Sequence, residues 1–271
     1  MLDVEANQRR SEAIEKDYLY RSVVRRQEAD GQGQTKKTTV EEYDVYWLSG
    51  VHVSRMMKKN GKDLTAEEIA KENERIDKET AKARQRRAEA DAVGKETDSH
   101  GEEEIAVSRL LELGSFSNAR RVQLNGRDTI AVDYAGDPRA KTRNRAEEAI
   151  RDIQGTVWVD EQDRVLARAE GHFVNAYKIG AGLIVDIRKD TSFSMEQTKV
   201  NGEVWLPARV DAKGAIRSLL FFSFSGSVHA ADSDYRKFHA TATVLPGITP
   251  VEAPGGSGGG APADTPVKPG Q

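Results

Sequence analysis

The chain has 271 residues, of which 37% are hydrophobic and 31% charged. Its 41 basic and 44 acidic residues give a formal net charge of −3, so it lacks the basic excess that nucleic-acid binding needs, and we expect no such partner. It has no cysteine, which excludes disulfides and thiolate metal sites, and no apolar run reaches the ~18 residues of a membrane span.

The first sixty residues predict a short helix and three antiparallel strands. Residues 3–16 are polar, with Ala6, Ala13 and Ile14 at helical spacing. Apolar alternation then predicts strands over 18–28, 35–48 and 51–59.

Residues 62–114 predict a helical insertion. Thr65 and Glu68 form a capping-box pattern, and more than half of residues 62–91 are charged. Leu64, Ile69 and Ile76 are its only large apolar side chains, so we expect a solvated helix on or beside the body of the protein. A loop over 93–101 and a shorter helix over 102–113 complete the insertion.

The remainder of the chain reads mainly as strands. Asn125-Gly126 between the runs 116–124 and 127–134 is a strong hairpin signal. Asp137 followed by Pro138 predicts the start of a helix that ends before Gly155. From there to residue 244, short strand-like segments alternate with turns, which predicts an antiparallel meander and one large, curled sheet.

Alternation within these segments predicts a sheet with one apolar and one polar face. Val157 and Val159 point away from Trp158 and Asp160. Leu183, Val185 and Ile187 share a face, as do Phe193 with Met195, and Leu220 with Phe222 and Phe224.

No catalytic constellation is present, so we expect a protein that is not an enzyme and has no cofactor. The histidines are His52, His100, His172, His229 and His239, none at a standard metal-ligand spacing, and we predict no metal site. Asp160, Glu161 and Asp163 fall in a predicted turn, where aspartate is expected for local backbone bonding.

The aromatic residues of the second half either fill a core or line an apolar groove that takes a lipid or acyl chain. We predict the groove. Its candidate residues, on the apolar face of the sheet, are Val157, Trp158, Val159, Phe173, Leu183, Val185, Ile187, Phe193, Met195, Trp205, Leu206, Leu220, Phe222 and Phe224.

Three short segments resemble the LolA/LolB-like superfamily of bacterial envelope proteins, often described as outer-membrane lipoprotein-sorting proteins. They are Gly-Thr-Val-Trp-Val-Asp at 155–160, Arg-Val-Leu-Ala-Arg-Ala-Glu at 164–170 and Lys-Val-Asn-Gly-Glu-Val-Trp-Leu-Pro at 199–207. The resemblance implies an α+β fold, with a large curved antiparallel sheet forming an unclosed half-barrel and helices over its concave, apolar face. It also implies a cell-envelope location and binding of lipid or of an acylated protein.

The expected organisation is one half-barrel domain over 1–245 and a disordered Gly/Pro-rich tail over 246–271. The expected function is a periplasmic carrier of lipid, acyl chains or lipoproteins. The alternative is an envelope scaffold without a ligand cavity, which contacts a protein partner through the helix at 62–91. No basic-then-apolar leader follows Met1, so a periplasmic or outer-membrane-periphery location requires that a leader has been removed, and a native start at Met1 implies the cytoplasm.

Overall fold

The computed structural model describes residues 2–30, 32–48, 50–92, 94, 109–179, 185–189, 191–218 and 222–238. The helices in this part of the chain are α1 (Leu2–Glu15), α2 (Ala66–Asp91), α3 (Leu110–Leu113) and α4 (Arg145–Ile150). The strands are β1 (Tyr18–Ala29), β2 (Thr35–Leu48), β3 (Val51–Lys59), β4 (Lys62–Asp63), β5 (Gly114–Leu124), β6 (Arg127–Gly136), β7 (Ile153–Asp160), β8 (Leu166–Phe173), β9 (Tyr177–Ile179), β10 (Val185–Ile187), β11 (Ser192–Val200), β12 (Val204–Ser218) and β13 (Phe222–Lys237).

These strands form a single antiparallel sheet in the order β4-β3-β2-β1-β13-β12-β11-β8-β7-β6-β5, with β10 paired to β12 and β9 paired to β10. The N-terminal strand β1 lies beside the last strand β13, so both ends of the described chain meet in the middle of the sheet. Because β4 and β5 stand at opposite ends of the order, the sheet is not closed. The predicted α+β fold with an unclosed antiparallel half-barrel is confirmed.

Three of the hairpins turn on an Asn-Gly pair. Asn60, Asn125 and Asn201 have φ values of 51°, 50° and 51°, and the glycine after each is also at positive φ. This is the backbone that a two-residue turn needs to match the twist of its strands, and it explains why these dipeptides mark the turns in the sequence.

The helix α1 fills a split in the sheet. Residues 204–207 of β12 pair with β11, whereas pairing between β12 and β13 begins only at Arg209. At the edge left free, the backbone N–H of Trp205 donates to Ser11 Oγ at 3.0 Å, and Ser11 Oγ donates to the Trp205 carbonyl at 3.2 Å. One step along, the Tyr235 hydroxyl donates to the carbonyl of Pro207 at 2.5 Å.

A buried apolar cluster also anchors α1, on the same helix face as Ser11. Ile14 of α1 and Tyr235 pack against four buried residues, which are Tyr18, Val200, Val204 and Leu206. The Tyr18 hydroxyl donates to the Glu203 carboxylate at 2.7 Å, so its polar end is satisfied. Helix and strands therefore bury apolar surface while the Tyr18 hydroxyl and the backbone of Trp205 keep hydrogen-bond partners.

The helix α2 lies along β3 at one end of the sheet. Ile76 and Ala83 pack on Val51 and Val53, with Tyr46 at the border of this cluster. The capping box predicted at its start is present, with both reciprocal hydrogen bonds. Ile69 is 43% exposed, so the apolar stripe is as thin as the sequence predicts.

The helix predicted to start at Asp137 begins later. α4 starts at Arg145 and is capped by the side chain of Asn144, which accepts from the Glu147 N–H at 2.9 Å. Asp137 instead accepts from the N–H of Arg139, which closes a local turn. The Asp-Pro pattern suits a turn as well as a helix start, and the turn forms here. The predicted loop and most of the helix at 93–113 lie outside the described residues, as does the predicted tail.

Replacing the hydroxyl of Ser11 tests how α1 is attached. We expect Ser11→Ala to lower the free energy of unfolding by about 2 kcal/mol, because it leaves the N–H and the carbonyl of Trp205 without a partner in a buried place. Urea denaturation measures this value. Arg10→Ala, at an exposed position of the same helix, is the matched control and should change stability by less than about 0.5 kcal/mol. Equal effects of both substitutions would contradict the attachment described here.

Glu15, at the end of α1, makes stability depend on pH. Burial and the neighbouring Glu12 raise the pKa of its carboxyl to about 7, against the opposing effect of Lys16. Between the usual carboxyl pKa of 4.5 and about 7, the folded state therefore binds more protons than the unfolded chain, and stability falls as pH rises through that window.

We expect Glu15→Gln to stabilise the protein by about 2 kcal/mol at high pH and to have little effect well below the usual carboxyl pKa. Denaturation curves recorded above pH 7 and well below the usual carboxyl pKa check this. Glu28→Gln, at an exposed position of β1, is the control. A gain of the same size at both pH values would contradict the assignment to Glu15 ionisation.

Candidate functional site

The register of the sheet places seven apolar side chains in one line across seven neighbouring strands. We call this line the apolar row. Each member is the direct cross-strand partner of the next. Its members, from β1 to β6, are Val24, Ala230, Val210, Met195, Ala169, Val157 and Val132. At ~4.8 Å between strands, the apolar row is about 29 Å long.

The apolar row is not buried. Val210 is 39% exposed, and its other members are half-buried. The three buried apolar clusters in the described part of the chain lie elsewhere, under α1, under α2 and around Trp205. A contiguous apolar surface in this state is typical of a binding surface.

Four of the residues predicted for the site lie on this face near one another. Met195 and Val157 belong to the apolar row, and Phe193 lies two residues along β11 on the same side. Phe173, paired with Ile153 towards the end of β8, is buried. Val159, at the far end of β7 beyond a bulge, is half-buried. Ile187 is half-buried in β10, which pairs with the outer part of β12.

Trp158 faces the other side of the sheet. It pairs with Arg168, whose guanidinium carbon lies 5.1 Å from the centre of the indole ring. The guanidinium also contacts the carboxylates of Glu170 at 2.9 Å and Glu196 at 3.5 Å. Trp158 is thus the base of an ion-pair network on the polar face.

Trp205 and Leu206 lie in buried apolar clusters and not in the apolar row. Leu206 is fully buried in the cluster under α1, and Trp205 is buried against Val165 and Ala167. Leu183 and Leu220 lie outside the described residues, as do the side chains of Val185, Phe222 and Phe224.

A partly buried polar network holds Trp205 in place and explains why acidic residues lie in the turn that follows Trp-Val-Asp at 158–160. The Asp163 carboxylate accepts from the indole N–H of Trp205 at 3.0 Å, from Lys199 at 2.7 Å and from Arg127 at 2.9 Å. Arg127 also binds both carboxylate oxygens of Asp160, at 2.6 and 2.9 Å. Asp160 and Asp163 therefore brace neighbouring strands.

Asp160 is ionised in this network. Burial alone raises the pKa of its carboxyl, but Arg127 and the backbone N–H of Asp163 outweigh burial and lower the pKa below the usual 3.8. Its contribution to stability is present above that usual value and is lost as pH falls through the lowered pKa of the folded state. Within the described residues, no group of three or more potential ligands could hold a metal ion.

The opposite face of the sheet is polar and carries a groove of about 1070 Å³. One line of cross-strand partners crosses this groove, namely Asp133, Thr156, Glu170, Ser194, Asp211 and His229. Most of its charges are paired, since Asp133 binds Arg120 at 2.8 Å and Asp211 binds His229 at 2.7 Å. α2 packs on this same face of the sheet. It covers Tyr46 and Val53, which are cross-strand partners, and the pairing of β2 with β1 places both on the side of the polar groove.

Comparison with known proteins gives only distant likenesses. No family model and no curated protein matches the chain. A putative outer membrane lipoprotein-sorting protein domain from Vibrio parahaemolyticus aligns over 90% of this chain and 94% of its own, at 11% identity and a TM-score of 0.37. A LolA superfamily protein from Nitrosomonas europaea aligns over 87% and 94%, at 9% identity and a TM-score of 0.30. Superpositions this loose transfer no function to this chain.

The Asp163 network can be tested by removing its charge. We expect Asp163→Asn to lower the free energy of unfolding by about 2 kcal/mol, because Lys199 and Arg127 lose their shared carboxylate. Chemical denaturation measures the change. Glu161→Gln in the same turn is the control, since Glu161 pairs only with the exposed Arg121 and should cost less than about 0.5 kcal/mol. A loss at Glu161 as large as that at Asp163 would contradict the bracing role.

Proposed function

We propose that this protein is a carrier that binds the acyl chain of a lipid, or of an acylated protein, along the apolar row. The observation that carries the proposal is that seven apolar side chains form an unbroken line, none of them buried by the rest of the described structure. Each methylene of a ligand chain removed from water is worth ~0.8 kcal/mol. A few methylenes along the row therefore supply useful affinity.

We further propose that the carrier acts in the bacterial cell envelope, in the periplasm or at the periphery of the outer membrane, and that it performs no catalysis. Support for the location comes from the three sequence segments at 155–160, 164–170 and 199–207 that resemble the lipoprotein-sorting superfamily. No helix in the described part of the chain is long and apolar enough to span a membrane.

A second candidate is an envelope scaffold that binds a protein partner through α2. What favours it is the outward face of α2, where ion pairs such as Lys71–Glu67 and Lys78–Glu74 are exposed over several turns. Crosslinking in the native envelope separates the two functions. A scaffold yields one reproducible protein partner that is lost when the exposed charges of α2 are replaced, whereas a carrier yields lipid or acylated proteins.

Two neighbouring residues of β11 allow a sharp test of the carrier. Met195 lies in the apolar row, and Ser194 lies beside it on the polar face. We expect Met195→Asp to reduce the lipid that co-purifies with the protein about tenfold or more, because a carboxylate then interrupts the binding surface. Ser194→Asp adds the same charge at the same place in the chain and should leave the lipid content unchanged.

Lipid content is measured by extraction and mass spectrometry, and binding is measured by titration with a fluorescent fatty acid. Circular dichroism shows whether both variants fold. Absence of lipid and of fatty-acid binding in the wild-type protein, or equal losses in the two folded variants, would sink the carrier proposal.

A further inference from the structure

Four polar side chains form a second line across the sheet, on the face opposite the apolar row. We call this line the polar row. It consists of Gln154, His172, Ser192 and Lys213, each the direct cross-strand partner of the next. All four line the large groove on the polar face. At ~4.8 Å between strands, the row is about 14 Å long.

The polar row lies beside a second hollow. This hollow has a volume of about 530 Å³, and it shares Gln27, Lys213 and Ser227 with the large groove. Lys213 therefore stands at the junction of the two. The second hollow adds two more cations, Arg188 and Lys189.

The charge at this junction is not balanced by nearby acids in the described part of the chain. Lys213, Arg188 and Lys189 make no ion pair there, whereas Arg120 and Arg168 of the polar face are paired. Of the nearest carboxylates of the groove, Glu170 binds Arg168 at 2.9 Å, and Asp211 accepts a hydrogen bond from His229 at 2.7 Å.

Within the described residues, the other side chains of the polar row make no hydrogen bond or ion pair. Ser192 supplies a hydroxyl, His172 an imidazole and Gln154 an amide, and each is at least partly open to solvent. These groups form hydrogen bonds to hydroxyls and to phosphate oxygens, but they add no negative charge. Three unpaired cations followed by a line of neutral hydrogen-bonding groups fit a ligand that is anionic at one end and hydroxyl-rich along its length.

We propose that this junction binds the phosphate of a polyol phosphate ester, with Lys213, Arg188 and Lys189 around the phosphate and the polyol along Ser192, His172 and Gln154. Glycerol phosphate is the simplest molecule of this class. The site is separate from the apolar row and goes beyond the proposed carrier function, because it lies on the other face of the sheet.

The first test compares inorganic phosphate with glycerol 3-phosphate, each titrated into the full chain and followed by calorimetry. We expect both to bind, and glycerol 3-phosphate to bind several-fold more tightly because of the polar row. The double variant Lys213→Gln/Arg188→Gln should weaken both ligands about tenfold or more. Lys82→Gln on α2, also an exposed and unpaired lysine, is the control and should change neither.

The polar row has its own variant, Gln154→Ala/His172→Ala. It should remove the preference for glycerol 3-phosphate and leave the affinity for inorganic phosphate as it is. Binding that does not saturate, or that falls equally in the Lys82→Gln control, would overturn the proposal, since either result indicates general attraction to a charged surface. An unchanged affinity in the double variant at Lys213 and Arg188 would overturn it too.

A third arm distinguishes a lipid headgroup from a free ester. Phosphatidylglycerol vesicles and uncharged phosphatidylcholine vesicles are floated with the wild-type protein and with the double variant. Binding to phosphatidylglycerol alone, lost in the double variant, assigns the site to a membrane headgroup. Binding of soluble glycerol 3-phosphate without vesicle binding assigns it to a free ester, and no binding in either arm overturns the proposal. The fatty-acid titration of Met195→Asp tests the apolar row on the opposite face of the sheet, so failure of the carrier proposal is distinguishable from failure here.

Discussion

The constraint on which this fold depends is the satisfaction of backbone groups where an open sheet comes apart. The free part of β12 exposes N–H and carbonyl groups that a neighbouring strand would otherwise bind. A serine hydroxyl can both donate and accept, so Ser11 bonds the N–H and the carbonyl of Trp205 at once. The hydroxyl of Tyr235 donates a hydrogen bond to the carbonyl of Pro207, further along the same edge. With those groups paired, an α-helix can stand in the place of a strand, and the apolar cluster of Tyr18 and Leu206 can be buried beneath it.

The same alternation that builds the sheet gives it two different chemical surfaces. Along β11, Met195 belongs to the apolar row, while Ser192 and Ser194 line the polar groove. A slip of one residue in any strand would exchange these surfaces, so the register has to be held firmly. The bulges beside Glu196 and Trp158, and the ion pair from Arg168 of β8 to Glu196 of β11, fix the register at that point.

Much of this architecture could be predicted from the sequence, because the signals are local. The Asn-Gly turns, the capping box of α2 and the alternation of β7 and β11 depend on residues next to one another in the chain. Contacts between distant residues could not be predicted. Ser11 and Trp205 are 194 positions apart, and a serine in a polar helix carries no signal that it will complete a strand edge. Asp137-Pro138 failed for a different reason, since the same two residues suit both a helix start and a turn.

The candidate site shows what alternation alone can predict and what it cannot. It correctly separates Val157 from Trp158, but hydrophobicity alone groups both with the apolar residues of the sheet. An indole offers both a surface that binds cations and a hydrogen-bond donor. Trp158 therefore contacts the guanidinium of Arg168, and Trp205 donates a hydrogen bond to Asp163. Valine and methionine have neither, and they make up most of the apolar row, where Val210 is exposed and the others are half-buried. The proposed binding surface therefore consists of side chains that have no polar group to engage, and not of the largest aromatic residues.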